Sequence, residues 1–172
     1  MKIELETKRL LLRPWRLDDA EPFFHGWASD QEVTKYMTWN PHESVEETKG
    51  IVALWVEQYE KPERINFAIE LKDTGELIGG IDVVGYLDGV PVIGYMLKRD
   101  KWGHGIMTEA CMKLLDFLFT NGHDTVRIDA MVENIGSNKV IQKCGGIFIG
   151  TEEQDRPMKG DKVLVNRYVF KA

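Results

Sequence analysis

Two glycines, one residue apart, stand at the mouth of what reads as a helix in Lys101-Trp102-Gly103-His104-Gly105-Ile106-Met107-Thr108-Glu109-Ala110. Glycine lets the backbone turn tightly and lets another molecule come close. The helix that follows offers unpaired N–H groups and the positive end of its dipole. Residue types in this order make a seat for a phosphate or pyrophosphate. The best-known phosphate loops fit poorly. There is no Gly-Lys-Ser/Thr run, and Thr108 stands where the dinucleotide fingerprint needs a third Gly or Ala.

Other reactive side chains give weaker signals. Cys111 and Cys144 match no metal or redox spacing and read as buried free thiols on apolar helix faces. His25, His42 and His123 show no ligand spacing, so no metal is expected. Ser137 is read as the N-cap of a short helix.

These residues need elements to hold them. Lys8 to Arg13 reads as a strand ending before Pro14. Asp18 is expected to cap a helix, with Glu21 completing a capping box, and Ser44 with Glu47 repeats the pattern. Ile51, Trp55 and Tyr59 continue the second helix at helical spacing. Between the two lies an irregular aromatic stretch, Tyr36-Met37-Thr38-Trp39-Asn40-Pro41. Ile65, Phe67, Ile69 and Leu71 alternate with more polar residues, as in a half-buried strand. Leu77 to Val84 and Val92 to Leu97 complete an antiparallel meander, turning at Asp73-Thr74-Gly75 and Asp88-Gly89. Gly94 hints at a bulge or close backbone approach. A helix from Thr108 to about Thr120 buries Cys111, Leu114, Leu115 and Leu118, and Gly122 ends it. Thr125 to Val132 should lie parallel to the Val92–Leu97 strand by a right-handed crossover. A short helix ends at Gly145-Gly146, and Ile147–Thr151 and Val163–Phe170 form the last strand pair around the loop Arg156–Lys162. The order is β-α-α-β-β-β-α-β-α-β-β.

With 172 residues and no linker or repeat, one domain over 1–172 is expected. A net charge of −6 argues against a sequence-independent nucleic-acid binder, which needs a basic face. Such a charge can still attract a cationic substrate. The N-terminus has no apolar h-region, and no apolar run approaches the roughly 20 residues of a membrane span. The chain reads as soluble and cytoplasmic.

Four segments together resemble the GCN5-related N-acetyltransferase (GNAT) superfamily, in its RimJ/RimL-like branch. They are Thr7-Lys8-Arg9-Leu10-Leu11-Leu12-Arg13-Pro14 with Asp18-Asp19-Ala20; Ile93-Gly94-Tyr95; the glycine loop; and Asn134-Ile135-Gly136-Ser137 with Lys143 and Gly145. They span almost the whole chain in the expected order. Three positions depart from the pattern. Asp100 stands where relatives have Gln or Arg, Val92 where many carry an acid, and Gly146 where Phe is usual. Looser packing is expected at Gly146.

The resemblance implies a mixed α/β fold: a twisted, mostly antiparallel sheet of about seven strands flanked by about four helices. A splayed parallel strand pair forms the cofactor cleft. It implies acetyl transfer from acetyl-CoA, as co-substrate, directly to a primary amine. Backbone groups of Met96, Leu97 and Lys98 would pair with the pantetheine arm, and the Leu97 N–H would serve the oxyanion. N–H groups from Trp102 through Gly103, His104, Gly105, Ile106 and Met107, with the Thr108 hydroxyl, would hold the pyrophosphate. Asn134 would bond the pantetheine, and Ser137 would be a cap alone or also the acid for the thiolate. Lys139 and Lys143 would meet phosphates or remain solvated.

No general base is legible: Glu70 and Asp82 lie on central strands, one of them expected to point away because side chains alternate. A water chain is the other route. Tyr36, Trp39 and Tyr95, with the loops Gly85–Gly89 and Arg156–Lys162, are the expected acceptor side. The partners implied are a small amine or a protein N-terminus, with a homodimer left open. No nucleic acid and no membrane is expected. The alternative is a non-catalytic acyl-CoA-binding or interaction domain of the same fold, favoured by Val92.

Overall fold

The computed structural model describes residues 2–172. They form one eight-stranded sheet in the order β1-β2-β3-β4-β5-β6-β8-β7. The strands are β1 (Leu5–Glu6), β2 (Leu10–Arg13), β3 (Asn66–Leu71), β4 (Leu77–Leu87), β5 (Val90–Leu97), β6 (Thr125–Met131), β7 (Ile147–Arg156) and β8 (Asp161–Lys171). The helices are α1 (Ala20–Phe23), α2 (Gln31–Thr34), α3 (Val45–Gln58), α4 (Ile106–Thr120) and α5 (Ile135–Lys143). The expected seven strands become eight because Leu5 and Glu6 pair with Leu12 and Leu11. The fifth helix is the single turn α2. Both are too short to leave a periodic pattern.

Two cores sandwich the sheet. On one face Leu114 and Leu118 of α4 pack with Leu12, Phe67, Ile69 and Ile128. On the other, Trp15, Phe23, Trp27 and Val52 pack against Ala68 and Leu77. β3 is therefore buried on both faces from Asn66 to Ile69, not half-buried as its alternation predicts. Ala68 is small and apolar, so it reads as a weak outward position yet fits beneath Trp15.

The start of the first helix also differs. Asp19, not Asp18, is the capping carboxylate: it accepts from the Arg16 N–H at 2.7 Å and grips the Arg13 guanidinium at 2.8 Å twice. Pro22 removes a donor from this segment. The segment runs through a 3₁₀ turn at Leu17–Asp19, α1, and a wide π turn at Phe24–Ala28. Ser44 does cap α3, accepting from the Glu47 N–H at 3.2 Å. The Glu47 carboxylate reaches back to the Glu43 N–H at 2.9 Å, one residue before the cap.

β5 and β6 are the parallel pair. Their register holds at Val92↔Arg127 and Ile93↔Ile128 only, then the strands diverge. The bulge signalled by Gly94 lies across from it, at Val84 of β4, where a Cβ on Gly94 would come 2.6 Å from Val84 Cγ1. The packing at Gly146 is tight, not loose. A Cβ there would come 2.6 Å from Ile141 Cγ2 and 2.9 Å from Phe170 Cζ, which fill the space. Cys111 is buried in α4, while Cys144 is the C-cap of α5 and half-buried; both are free thiols.

Candidate active site

The divergence of β5 and β6 opens a cleft of about 420 Å³. The end of β5, the glycine loop and the first turns of α4 and α5 line it, with Tyr36 and Met37 on the rim. In the loop, Gly103 has φ +76° and Gly105 φ +73°. That left-handed backbone is where glycine is favoured. The N–H groups from Gly103 to Thr108 find no acceptor among the described residues; the Glu109 N–H is the first to be bonded, to Gly105 O at 3.1 Å. An open row of donors at a helix start suits an anion.

Trp102 plays a different part from the one expected. Its N–H is spent on Arg99 O at 3.1 Å, and its indole donates to Leu97 O at 2.9 Å. It ties the loop to the strand end. The three β5 residues also divide. The Lys98 N–H is bonded to Ile78 O at 2.7 Å, on the β4 side. Successive N–H groups along a strand face opposite edges. The Leu97 N–H therefore faces the gap, and those of Met96 and Lys98 face β4.

A contact joining distant parts of the sequence holds the loop. Glu109 accepts from the Thr7 hydroxyl at 2.5 Å, the Arg9 N–H at 2.8 Å and Arg9 Nε at 2.7 Å. Arg9 Nη1 then donates to His104 O at 2.9 Å. Burial alone would raise the Glu109 carboxyl, but these donors hold it below its ordinary value. Thr7 and Arg9 were visible only as part of the family-like opening, and nothing local signals a partner a hundred positions away. The His104 side chain stays exposed; its carbonyl is what the fold uses.

On α5 the cap is Asn134, not Ser137. Asn134 Oδ1 accepts from the Ser137 N–H at 3.1 Å. This leaves Ser137 in the first turn with its hydroxyl 2.6 Å from the Tyr95 hydroxyl, and all three residues line the cleft. Burial pushes the Tyr95 phenol up, with Ser137 partly opposing. Asn138, unremarked in the sequence, fixes α5: its Nδ2 donates to Met131 O at 2.9 Å, and its Oδ1 accepts from Tyr168 at 2.8 Å. Lys139 and Lys143 line the cleft without an ion-pair partner among the described residues.

Glu70 and Asp82 do not line it. Both face the α1–α3 side, because Asp82 pairs with Asn66, and Asn66 and Glu70 are alternate residues of β3 that share one face. Glu70 accepts from Arg13 Nε at 2.7 Å, and Asp82 from Arg64 Nη2 at 3.2 Å. Burial raises the Asp82 pKa to about 6, against the pull of Arg64. The carboxylate that does line the cleft is Glu133, beside the Asn134 cap. Trp39 packs inward on His42 at 5.1 Å and Phe23 at 6.4 Å. The loop Gly85–Gly89 joins β4 to β5 at the end of the sheet away from Leu97. Arg156 is no exposed loop tip. It pairs with Asp161 at 2.7 Å and donates to the carbonyls of Lys35 at 2.9 Å and Met37 at 3.2 Å, pinning the rim around Tyr36. No cluster of three potential metal ligands occurs among the described residues.

Residues 9–147 match the acetyltransferase (GNAT) domain family. The chain belongs to the GNAT acetyltransferase family. It is 37% identical over 170 residues to an uncharacterized N-acetyltransferase, p20, of Bacillus licheniformis, covering 96% of this chain and 93% of that protein. Its fold matches that of RimL, a ribosomal L7/L12 alpha-N-protein acetyltransferase solved with coenzyme A, at TM-score 0.86 and 20% identity over 98% of each chain. It also matches the microcin C7 self-immunity acetyltransferase MccE, solved with acetyl-CoA and AMP. That match has a TM-score of 0.83 at 20% identity, over 96% of this chain and 94% of the other. This GNAT protein is an acyltransferase. No helix among the described residues is long and apolar enough to cross a membrane.

Proposed function

We propose that this GNAT chain transfers an acetyl group from acetyl-CoA directly to a primary amine, both bound together. The observation that carries this is the pairing of the Leu97 N–H, which faces the β5–β6 gap beyond the last paired residues of the two strands, with the donor row from Gly103 to Thr108 that finds no acceptor among the described residues. The donor row suits a pyrophosphate. The gap lacks one strand's worth of partners, which an extended amide-bearing arm supplies. Lys139 and Lys143 stand where further phosphate charge can be met. A thioester is already activated, so no protein nucleophile is required. The chain has to hold the carbonyl oxygen as it turns into an oxyanion, take a proton from the amine and return one to the thiolate. The Leu97 N–H is placed for the first task and Ser137 for the last. Glu133 is placed to receive an arriving ammonium, which the paired Glu70 and Asp82 are not.

The ribosomal-protein substrate in the RimL name makes a protein or peptide N-terminus the first acceptor to test. Thiol release from acetyl-CoA with a panel of peptides, polyamines, amino acids and aminoglycosides tests the reading. Initial-rate lines that intersect when both substrates vary are expected for a ternary complex. Parallel lines would point to a covalent acetyl-enzyme, and tight acetyl-CoA binding without thiol release from any amine would leave a binding domain.

A further inference from the structure

We propose that Tyr95 sets the Ser137 hydroxyl for the departing thiolate, acting as a positioning residue for transfer. The proposal rests on the acetyltransferase reading above. Tyr95 comes from β5 and Ser137 from α5, the two walls of the cleft, and their hydroxyl oxygens stand 2.6 Å apart. The Ser137 backbone is fixed by its N–H bond to Asn134 Oδ1 at 3.1 Å. Its Oγ has no hydrogen-bond partner other than Tyr95 among the described residues. A hydroxyl carries one proton and two lone pairs, and its rotor otherwise turns to suit its surroundings.

The direction of this bond decides what Ser137 can do. If Ser137 donates to Tyr95, its only proton is spent and nothing is left for the sulfur. If Tyr95 donates, the Ser137 proton is freed and turned toward the cleft. Burial keeps the phenol protonated, so Tyr95 has a proton to give, and Ser137 Oγ at 2.6 Å is a nearer acceptor for it than the Ser137 carbonyl at 3.4 Å. In the transfer step Ser137 then loses its Oγ–H bond as an S–H bond forms on the thiolate, which leaves with the electron pair of the broken C–S bond. The Tyr95 O–H supports the charge that develops on Oγ. A proton from solvent, matched by the one the amine releases, restores the Ser137 hydroxyl.

Tyr95→Phe removes the hydroxyl and keeps the ring. We expect kcat to fall by about five- to tenfold, the share of one hydrogen bond. The acetyl-CoA KM and the CoA dissociation constant by calorimetry should change less than about twofold. In a Ser137→Ala background the same change should have no further effect. A readout apart from turnover is the pKa of the bound CoA thiol, followed by thiolate absorbance. It should rise in Tyr95→Phe, because an unaimed Ser137 proton no longer steadies the thiolate. Unchanged kcat and thiol pKa in Tyr95→Phe would overturn the proposal, as would an equal loss in both backgrounds. Weakened CoA binding with normal kcat would make Tyr95 a packing residue only. A wild-type protein that releases no thiol with any amine would instead overturn the acetyltransferase reading, a different result from an active enzyme indifferent to Tyr95.

Discussion

At the scale of the residue, Glu109 and Arg9 matter more than their sequence positions indicate. Glu109 gathers three donors from Thr7 and Arg9, and Arg9 passes the constraint to His104 O. Glu109→Gln keeps the shape but weakens the charge-assisted bonds, so the loop should lose order. We expect acetyl-CoA to bind about three- to tenfold more weakly by calorimetry, with kcat at saturation less affected. Gly105→Val forces a side chain into left-handed backbone and should weaken binding at least about tenfold, roughly 1.4 kcal/mol. Asp82 gives a pH prediction of definite sign. Its folded pKa of about 6 lies above the unfolded carboxylate value. Between the two the native state binds more protons than the unfolded state, so this group's contribution to stability falls as pH rises through that window. Asp82→Asn mimics the protonated form. The Tm of the variant minus that of wild type should climb from pH 4 to pH 7, and a difference that shrinks would contradict the assignment.

At the scale of the element, the correction at α5 changes how its variants are read. Because Asn134 is the cap, Asn134→Ala should cost about 1 kcal/mol of stability in denaturant unfolding. Ser137→Ala, in the first turn, should cost much less and lower turnover instead. If Ser137→Ala proved the more destabilising of the two, the assigned cap would be wrong. The sequence made both residues cap-forming types three positions apart, and only the backbone decides between them. Elements with a long pattern were legible: α3, α4 and the β4–β5 meander fall close to where periodicity and turn residues put them. The glycine loop and the crossover to β6 were legible for the same reason. What escaped depended on distant contacts. Pairing with β2 creates β1, Trp15 buries Ala68, and pairing with Asn66 puts Asp82 on the same face as Glu70. Trp39 looked like a pocket aromatic and instead packs, partly buried, against the core, where Phe23 and His42 meet it.

At the scale of the whole molecule, the net charge of −6 misleads about the cleft. The carboxylates that motivated an acidic acceptor site, Glu70 and Asp82, are paired with Arg13 and Arg64. Lys139 and Lys143 line the cleft wall with no ion-pair partner among the described residues. Acetyl-CoA affinity should therefore fall severalfold between low and physiological salt, as screening shortens the reach of those charges. Lys139→Gln with Lys143→Gln should flatten that salt profile. A profile equally steep in the double variant would place the anion elsewhere.

The central claim is that the β5–β6 cleft holds acetyl-CoA and an amine together for direct transfer. The most direct test is thiol release at saturating acetyl-CoA, with a peptide bearing a free N-terminus against the same peptide blocked, followed by mass analysis of the peptide. The account predicts amine-dependent thiol release matched mole for mole by one added acetyl group, and a fall of both by about fivefold or more in Gly105→Val when acetyl-CoA is held at a level that half-saturates the wild type. Release that does not depend on a free amine, or that persists unchanged in Gly105→Val, would contradict it.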